Sequence, residues 1–246
     1  MSFRPTIDND TVASLPAARF GGRIVVVDSE ELIDAACRDL GASEVIGFDT
    51  ETRPSFRAGV SYKVSLLQLS THETCYLFRL CHIRLDNRIL KILGSRRIIK
   101  VGASVAGDIR ALHALRSFKA DGFVDLQNEA ERWGIEEKSL RKLSAITLGE
   151  RVSKAQRLSN WEAETLTAQQ QDYAATDAWV CVRILDELLK YEPKGGKFDI
   201  LSFADNLAEE SKTQHKPHRK RHRNRHRNAT EGHQEQMSEG NQQRIL

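Results

Sequence analysis

Between residues 23 and 126 the chain sets short apolar runs between polar breaks, and the spacing inside each run predicts its element. RIVVVDS (23–29) reads as a first strand, and its closing Asp28-Ser29 caps a helix over 30–40. EVIGFDTET (44–52), YKVSLLQLS (62–70) and TCYLF (74–78) read as three further strands, the last two joined by the polar THE as an antiparallel hairpin. A helix over about 85–93 precedes a short continuous apolar strand, RIIKVG (97–102). Ile109, Leu112 and Leu115 then recur at helical spacing, and FVDL (123–126) is a sixth strand running into another helix. The stretch 139–190 reads as several helices, the last from about Thr167 to Lys190-Tyr191, whereas residues 1–22 lack periodicity and are expected as an irregular lead-in. Strands first, then alternation, then a helical end predict an α/β domain, a mixed sheet with helices on its faces, over 23–192.

Composition changes this picture mainly at the C-terminal end. The net charge of +3 combines a body with 28 Lys/Arg against 31 Asp/Glu in 1–211 and a tail with nine against three in 212–246. That tail holds five of the eight histidines and too few apolar residues to fold alone, so 193–211 is expected as a linker or terminal helix and 212–246 as disordered. KPHRKRHRNRHRN can add nonspecific phosphate contacts, solubilise the chain, or serve nuclear import in a eukaryote. No apolar stretch nears the ~20 residues of a membrane span, and no apolar segment follows MSFRPTIDND, so no membrane partner is expected. Four scattered cysteines without a CxxC read as free thiols in a reducing compartment, and the cytoplasm is the expected location, or the nucleus in a eukaryote.

Candidate chemistry lies in three acidic places. Alternation along Val45, Gly47 and Asp49 makes a strand that begins apolar and ends in acid, so Asp49 and Glu51 share a face. Two carboxylates that close repel unless a cation lies between them; alone, they also read as solvated loop acids. Asp108, in VGASVAGDIRAL, falls in the opening turn of a helix, where the helix dipole by itself favours an acid. Tyr173 and Asp177, in QQDYAATDAWVCVRIL, are four apart and stack on one helix face, with Ala174, Ala175 and Ala178 allowing close approach. Four carboxylates with oxygen-only chemistry suit two hard divalent cations, Mg²⁺ or Mn²⁺. Two such ions roughly 3.5–4 Å apart can hold the attacking and leaving oxygens of a phosphodiester.

The order FDTET, VGASVAGD, YAATD is similar to the three motifs of the DEDD exonuclease superfamily in its tyrosine-bearing branch, from about Ile24 to Leu189. VSLLQLST, FVDL and SNW (159–161) agree with that resemblance, and no catalytic position departs from it. The resemblance implies a ribonuclease-H-like fold and a 3′→5′ exonuclease releasing nucleoside 5′-monophosphates from nucleic acid with a free 3′ end. It implies that Asp49 bridges both metals, that Glu51 and Asp177 complete the nucleophile-side ion, and that Asp108 holds the second ion through water. Tyr173 would orient the attacking water, its phenol pKa of ~10 suiting a positioner better than a base. The short form resembles the Werner-type group more than ribonuclease D, a modest preference for DNA over RNA. A binding module on a degenerate exonuclease fold remains the alternative, as does an adaptor acting through its tail.

Weaker candidates surround these residues. Thr50 and Thr52 flank the acid pair and either contact the terminal nucleotide or serve as ordinary β-formers. Lys154 and Arg157 either hold phosphates or belong to a solvated face. Trp161 reads as core before stacking platform and Asp125 as structural, while His72, His82 and His113 carry no catalytic role.

Overall fold

Two neighbouring strands with no exposed position set the architecture: β3 (Val64–Ser70) and β4 (Thr74–Arg79) are buried at every residue, which requires helices on both faces of the sheet. The computed structural model describes residues 3–194; the rest of the expected linker and the basic tail 212–246 lie outside the described residues. With β1 (Arg23–Val27), β2 (Val45–Thr52), β5 (Ile99–Gly102) and β6 (Phe123–Asp125), these strands form one six-stranded sheet ordered β1-β4-β3-β2-β5-β6. β3 pairs antiparallel with both neighbours and every other pair is parallel, so β3 alone runs against the rest. The expected hairpin of β3 and β4 is present, Ser70 opposite Cys75.

Helices α2 (Glu30–Gly41), α3 (Asn87–Leu93) and α4 (Val105–His113) cover one face, around a core that includes Ile33, Leu40, Ile46, Phe48, Ile89 and Leu112. The other face is covered by α6 (Leu140–Leu148) and the long α7 (Ala168–Leu189), packed on Val101, Val124 and Leu77. A short α5 (Leu126–Glu129) and a 3₁₀ turn over Ala130–Trp133 follow β6. This mixed sheet between helical layers is the expected ribonuclease-H-like α/β architecture.

Two expectations are corrected. The lead-in is not irregular throughout: Asp8 caps α1 (Asn9–Ser14) by accepting from the Thr11 N–H at 2.7 Å, and Val12 is fully buried beside Ile7 and Ala145. Six residues are too few to display a helical period. The stretch 139–190 holds two helices, not several, because Gly149 ends α6 in the left-handed conformation and 150–166 crosses to α7 without regular structure.

Candidate active site

The end of β2 serves both layers at once. Gly47 faces α7 so closely that a Cβ would lie 1.9 Å from the Ala178 carbonyl oxygen, so only glycine lets the helix settle there. By strand alternation Asp49 and Glu51 share that face, while Ile46 and Phe48 enter the opposite core and Thr50 points towards α4. A register shift between Glu51 and Thr52 ends the regular pairing directly after the acids.

Opposite them, α7 starts at a complete capping box formed by Thr167 and Gln170. Two turns further on, Tyr173 and Asp177 project together from its sheet-facing side. The outcome is that Asp49, Glu51 and Asp177 bring carboxylate oxygens within 4.8 Å of one another. Asp108 stands outside this trio in the first turn of α4, but its charge reaches both Asp49 and Glu51. Thr50, between the two β2 acids, donates its hydroxyl hydrogen to Asp108 Oδ1 at 2.6 Å. Asp125 holds the start of the same helix, accepting from the Ser104 and Val105 N–H groups at 3.0 Å each, with Ser104 in the left-handed region at φ 67. That is the structural role expected of Asp125.

The carboxyl groups are held above their ordinary range by burial and by one another. Burial first, then the charges of Asp177, Asp108 and Glu51, push Asp49 well above the carboxylate range. Burial with Asp177 and Asp108 takes Glu51 up to about 8, against the opposing effects of Arg157 and of a hydrogen bond from Tyr173. Burial raises Asp177 to about 7 and Asp108 to about 6, the latter opposed by Thr50. Tyr173 is driven up by burial and by Asp177 and Glu51, so it keeps its proton and donates. Among the described residues Asp177 Oδ1 is buried without a hydrogen-bond partner. A hard, oxygen-only donor set, mutual repulsion and an unpartnered carboxylate oxygen fit a divalent cation.

Next to the acids lies a cavity of about 340 Å³ whose lining includes Tyr173, Asp177, Thr176, Ala18, Arg19 and Gln156. The lead-in therefore forms one of its walls, with the Phe20 N–H bonded to Thr176 Oγ1 at 3.1 Å. Arg157 lies on the 150–166 crossing, near enough to act on Glu51, and Lys154 shares its turn but shows no contact with the site. Buried Arg79 steadies the crossing by donating to the Ala163 and Glu164 carbonyls, and Arg53 pairs with Glu162 at 3.2 Å. Trp161 is fully buried, its ring centroid 6.0 Å from that of Tyr173, which makes it the expected core anchor. The Thr50 hydroxyl is engaged by Asp108, and Thr52 is half-buried opposite Val64. Two features lay outside the sequence reading. Gln68, directly opposite Asp49, is fully buried with both amide atoms unpartnered among the described residues, and Phe56, on the loop after β2, is 82% exposed.

Comparison with known proteins identifies the family. Residues 24–191 match the 3′-5′ exonuclease family. The mouse bifunctional 3′-5′ exonuclease/ATP-dependent helicase WRN is 33% identical over 218 residues, covering 82% of this chain and 15% of that protein. An Arabidopsis thaliana 3′-5′ exonuclease is 29% identical over 199 residues, covering 71% of this chain and 67% of the relative. Among solved structures, Trypanosoma brucei RNase D aligns with TM-score 0.65 at 20% identity over 77% of this chain and 72% of that one. The Aedes aegypti Nibbler EXO domain aligns with TM-score 0.60 at 22% identity over 85% and 98%. These two structures share the fold, and the chain spans only a small part of the WRN protein. The chain belongs to the 3′-5′ exonuclease family.

Proposed function

We propose that this protein hydrolyses the terminal phosphodiester at the 3′ end of a nucleic acid, releasing nucleoside 5′-monophosphates one at a time, as a tyrosine-bearing member of the DEDD group. The observation that carries this reading is the meeting of Asp49, Glu51 and Asp177 within 4.8 Å, from β2 and α7, with an Asp177 oxygen left unpartnered. Asp49, Glu51 and Asp177 would hold one divalent cation, and Asp108 would share a second with Asp49. Bound there, Mg²⁺ or Mn²⁺ supplies Lewis-acid charge at the phosphodiester and makes hydroxide accessible near neutral pH.

The chain's own groups do the rest. Tyr173, kept protonated by burial and then by its carboxylate neighbours, positions the attacking water through its hydroxyl. Arg157 offsets part of the negative potential at Glu51 and is placed to meet the substrate's phosphate, with Lys154 beside it on the same turn. Thr50 fixes Asp108, and the Thr52 backbone would contact the terminal nucleotide. The adjoining cavity takes the terminal nucleoside, and exposed Phe56 offers a face for base stacking. DNA is favoured modestly over RNA, on the resemblance of the motifs to the Werner-type group.

End-labelled single- and double-stranded DNA and RNA, incubated with Mg²⁺, Mn²⁺ or EDTA, test the proposal. Stepwise shortening from the 3′ end should require the cation and disappear in Asp49→Ala and Asp177→Ala while the fold persists. Undiminished turnover in either variant would remove the site.

A further inference from the structure

Positive charge is concentrated in one segment of the body. Residues 84–119 hold nine Lys/Arg and two Asp, whereas the remainder of 1–211 holds nineteen Lys/Arg and twenty-nine Asp/Glu. Lys100 is buried in β5, and Arg88 is tied to Asp34 and Asp86.

Folding places much of the rest on one ridge beside α3. Arg116, just past α4, donates to the Leu85 carbonyl at 3.1 Å and to Asn87 Oδ1 at 2.7 Å, at the start of α3. The Lys119 carbonyl approaches the other end of that helix, where a Cβ on Gly94 would lie 3.0 Å from it. The 116–119 segment thus runs the length of α3. Lys91 stacks one turn beyond Asn87 on the same helix face, and exposed Arg84 directly precedes Leu85. Arg96 and Lys119 both turn to Asp121, at 3.6 and 2.8 Å, and that carboxylate is only 3% exposed while the two cations are 50% and 73% exposed. The acid lies beneath and the cations face outwards. Arg84 and Lys91 form no ion pair among the described residues.

Position and chemistry identify the occupant. The Arg116 N–H bonds to the Leu112 carbonyl at 3.1 Å, so helical spacing continues from Asp108 to Arg116, about 12 Å along the axis. The ridge therefore begins a few nucleotides' distance from the carboxylates. Surfaces for single strands combine cations with stacking aromatics. Here the one aromatic ring in 84–119 other than histidine, Phe118, is half-buried against the core and stacked on His113. A surface of cations without exposed rings reads backbone alone. The ~10 Å length of α3 spans about six phosphates of a duplex, against five cations on the ridge.

We propose that this ridge holds the phosphate backbone of a nucleic-acid duplex whose 3′-terminated strand enters the carboxylate site. The assignment rests on the exonuclease reading and extends it, making a duplex-bearing 3′ end the preferred substrate over an isolated single strand.

The test compares full-length protein with Arg84→Gln/Lys91→Gln, measuring binding in EDTA by fluorescence anisotropy across a salt titration. The probes are a DNA duplex with a short 3′ overhang, the same duplex in RNA, and the overhang strand alone. Losing two phosphate contacts should make the slope of log K against log salt shallower by about 1.8 on a duplex. The single-strand slope and the melting temperature should hold. Loss on either duplex supports the ridge and names its nucleic acid. An unchanged duplex slope, or an equal change on the single strand, overturns it. Hydrolysis of the single strand with Mn²⁺, followed separately, reports on the exonuclease reading alone, so the two can fail independently.

Discussion

Thr50 donates its hydroxyl hydrogen to Asp108 across 2.6 Å, joining a strand end to a helix start 58 residues later. The bond spans the two layers of the fold, because Thr50 points away from the face shared by Asp49 and Glu51. It holds the one acid standing outside the carboxylate trio. Hydrogen bonds to charged groups contribute about 1.5–3 kcal/mol, and each 1.36 kcal/mol lost from a transition state is tenfold in rate. Thr50→Val is therefore expected to lower kcat by roughly tenfold to a hundredfold with KM little changed, and Thr50→Ser to restore most of it. Steady-state kinetics on an end-labelled strand decide the matter: a valine variant as fast as the parent would show that this bond does not position Asp108 for turnover.

What could be read before folding follows the range of each signal. Asp49 with Glu51 is a two-residue period and Tyr173 with Asp177 a four-residue one, so each pair's shared face was legible locally. The meeting of the pairs depends on Gly47 admitting α7, a contact between residues more than a hundred positions apart. The engagement of Thr50 was hidden for the same reason, since nothing near residue 50 announces Asp108. The lead-in escaped because α1 is too short to show a period, although it walls the cavity through Ala18 and Arg19. Within 139–190 the sequence already set Lys154 and Arg157 in a loop before SNW, but the long-range anchors of that crossing, Arg79 and Trp161, were not legible locally.

Crowded carboxylates oppose folding when no cation is present. Asp177→Asn removes one of the charges that raise Asp49 and Glu51 while preserving shape. In EDTA this variant should melt a few degrees above the parent, since a 1 kcal/mol gain moves Tm by about 2–4 °C in a chain of this size. Added Mn²⁺ should raise the parent's Tm and leave the variant nearly unmoved. Differential scanning fluorimetry reads both. A parent indifferent to Mn²⁺ and Mg²⁺ would mean that the trio does not bind them.

Gln68 lies opposite Asp49 with its whole amide buried and unpartnered. Each unsatisfied group of this kind costs about 1–3 kcal/mol, and methionine matches glutamine in length and volume. Gln68→Met should raise the denaturant midpoint in EDTA while lowering kcat, if the amide is retained to orient Asp49 in the loaded site. A midpoint that falls would show that the amide is satisfied in solution, and an unaltered kcat would leave Gln68 without a part in turnover.

Lys100 supplies a pH dependence remote from the carboxylates. It is fully buried in β5, its Nζ donating to the Ser95 and Ile98 carbonyls at 2.5 and 2.6 Å and lying 5.0 Å from the Phe123 ring centre. Burial lowers its pKa to about 7, Asp121 only partly opposing, whereas in the unfolded chain it titrates near 10.5. Between those values the unfolded state carries a proton that the folded state has released. Stability therefore rises with pH across that window, and below about pH 7 the full cost of enclosing the charge is present. Lys100→Met has no such proton, so the parent's stability relative to this variant should climb from pH 7 to pH 9.5, by an amount on the order of a few kcal/mol at most. Urea unfolding of both chains at matched pH values measures the difference. Parallel curves would show that Lys100 keeps an ordinary affinity for its proton inside the sheet.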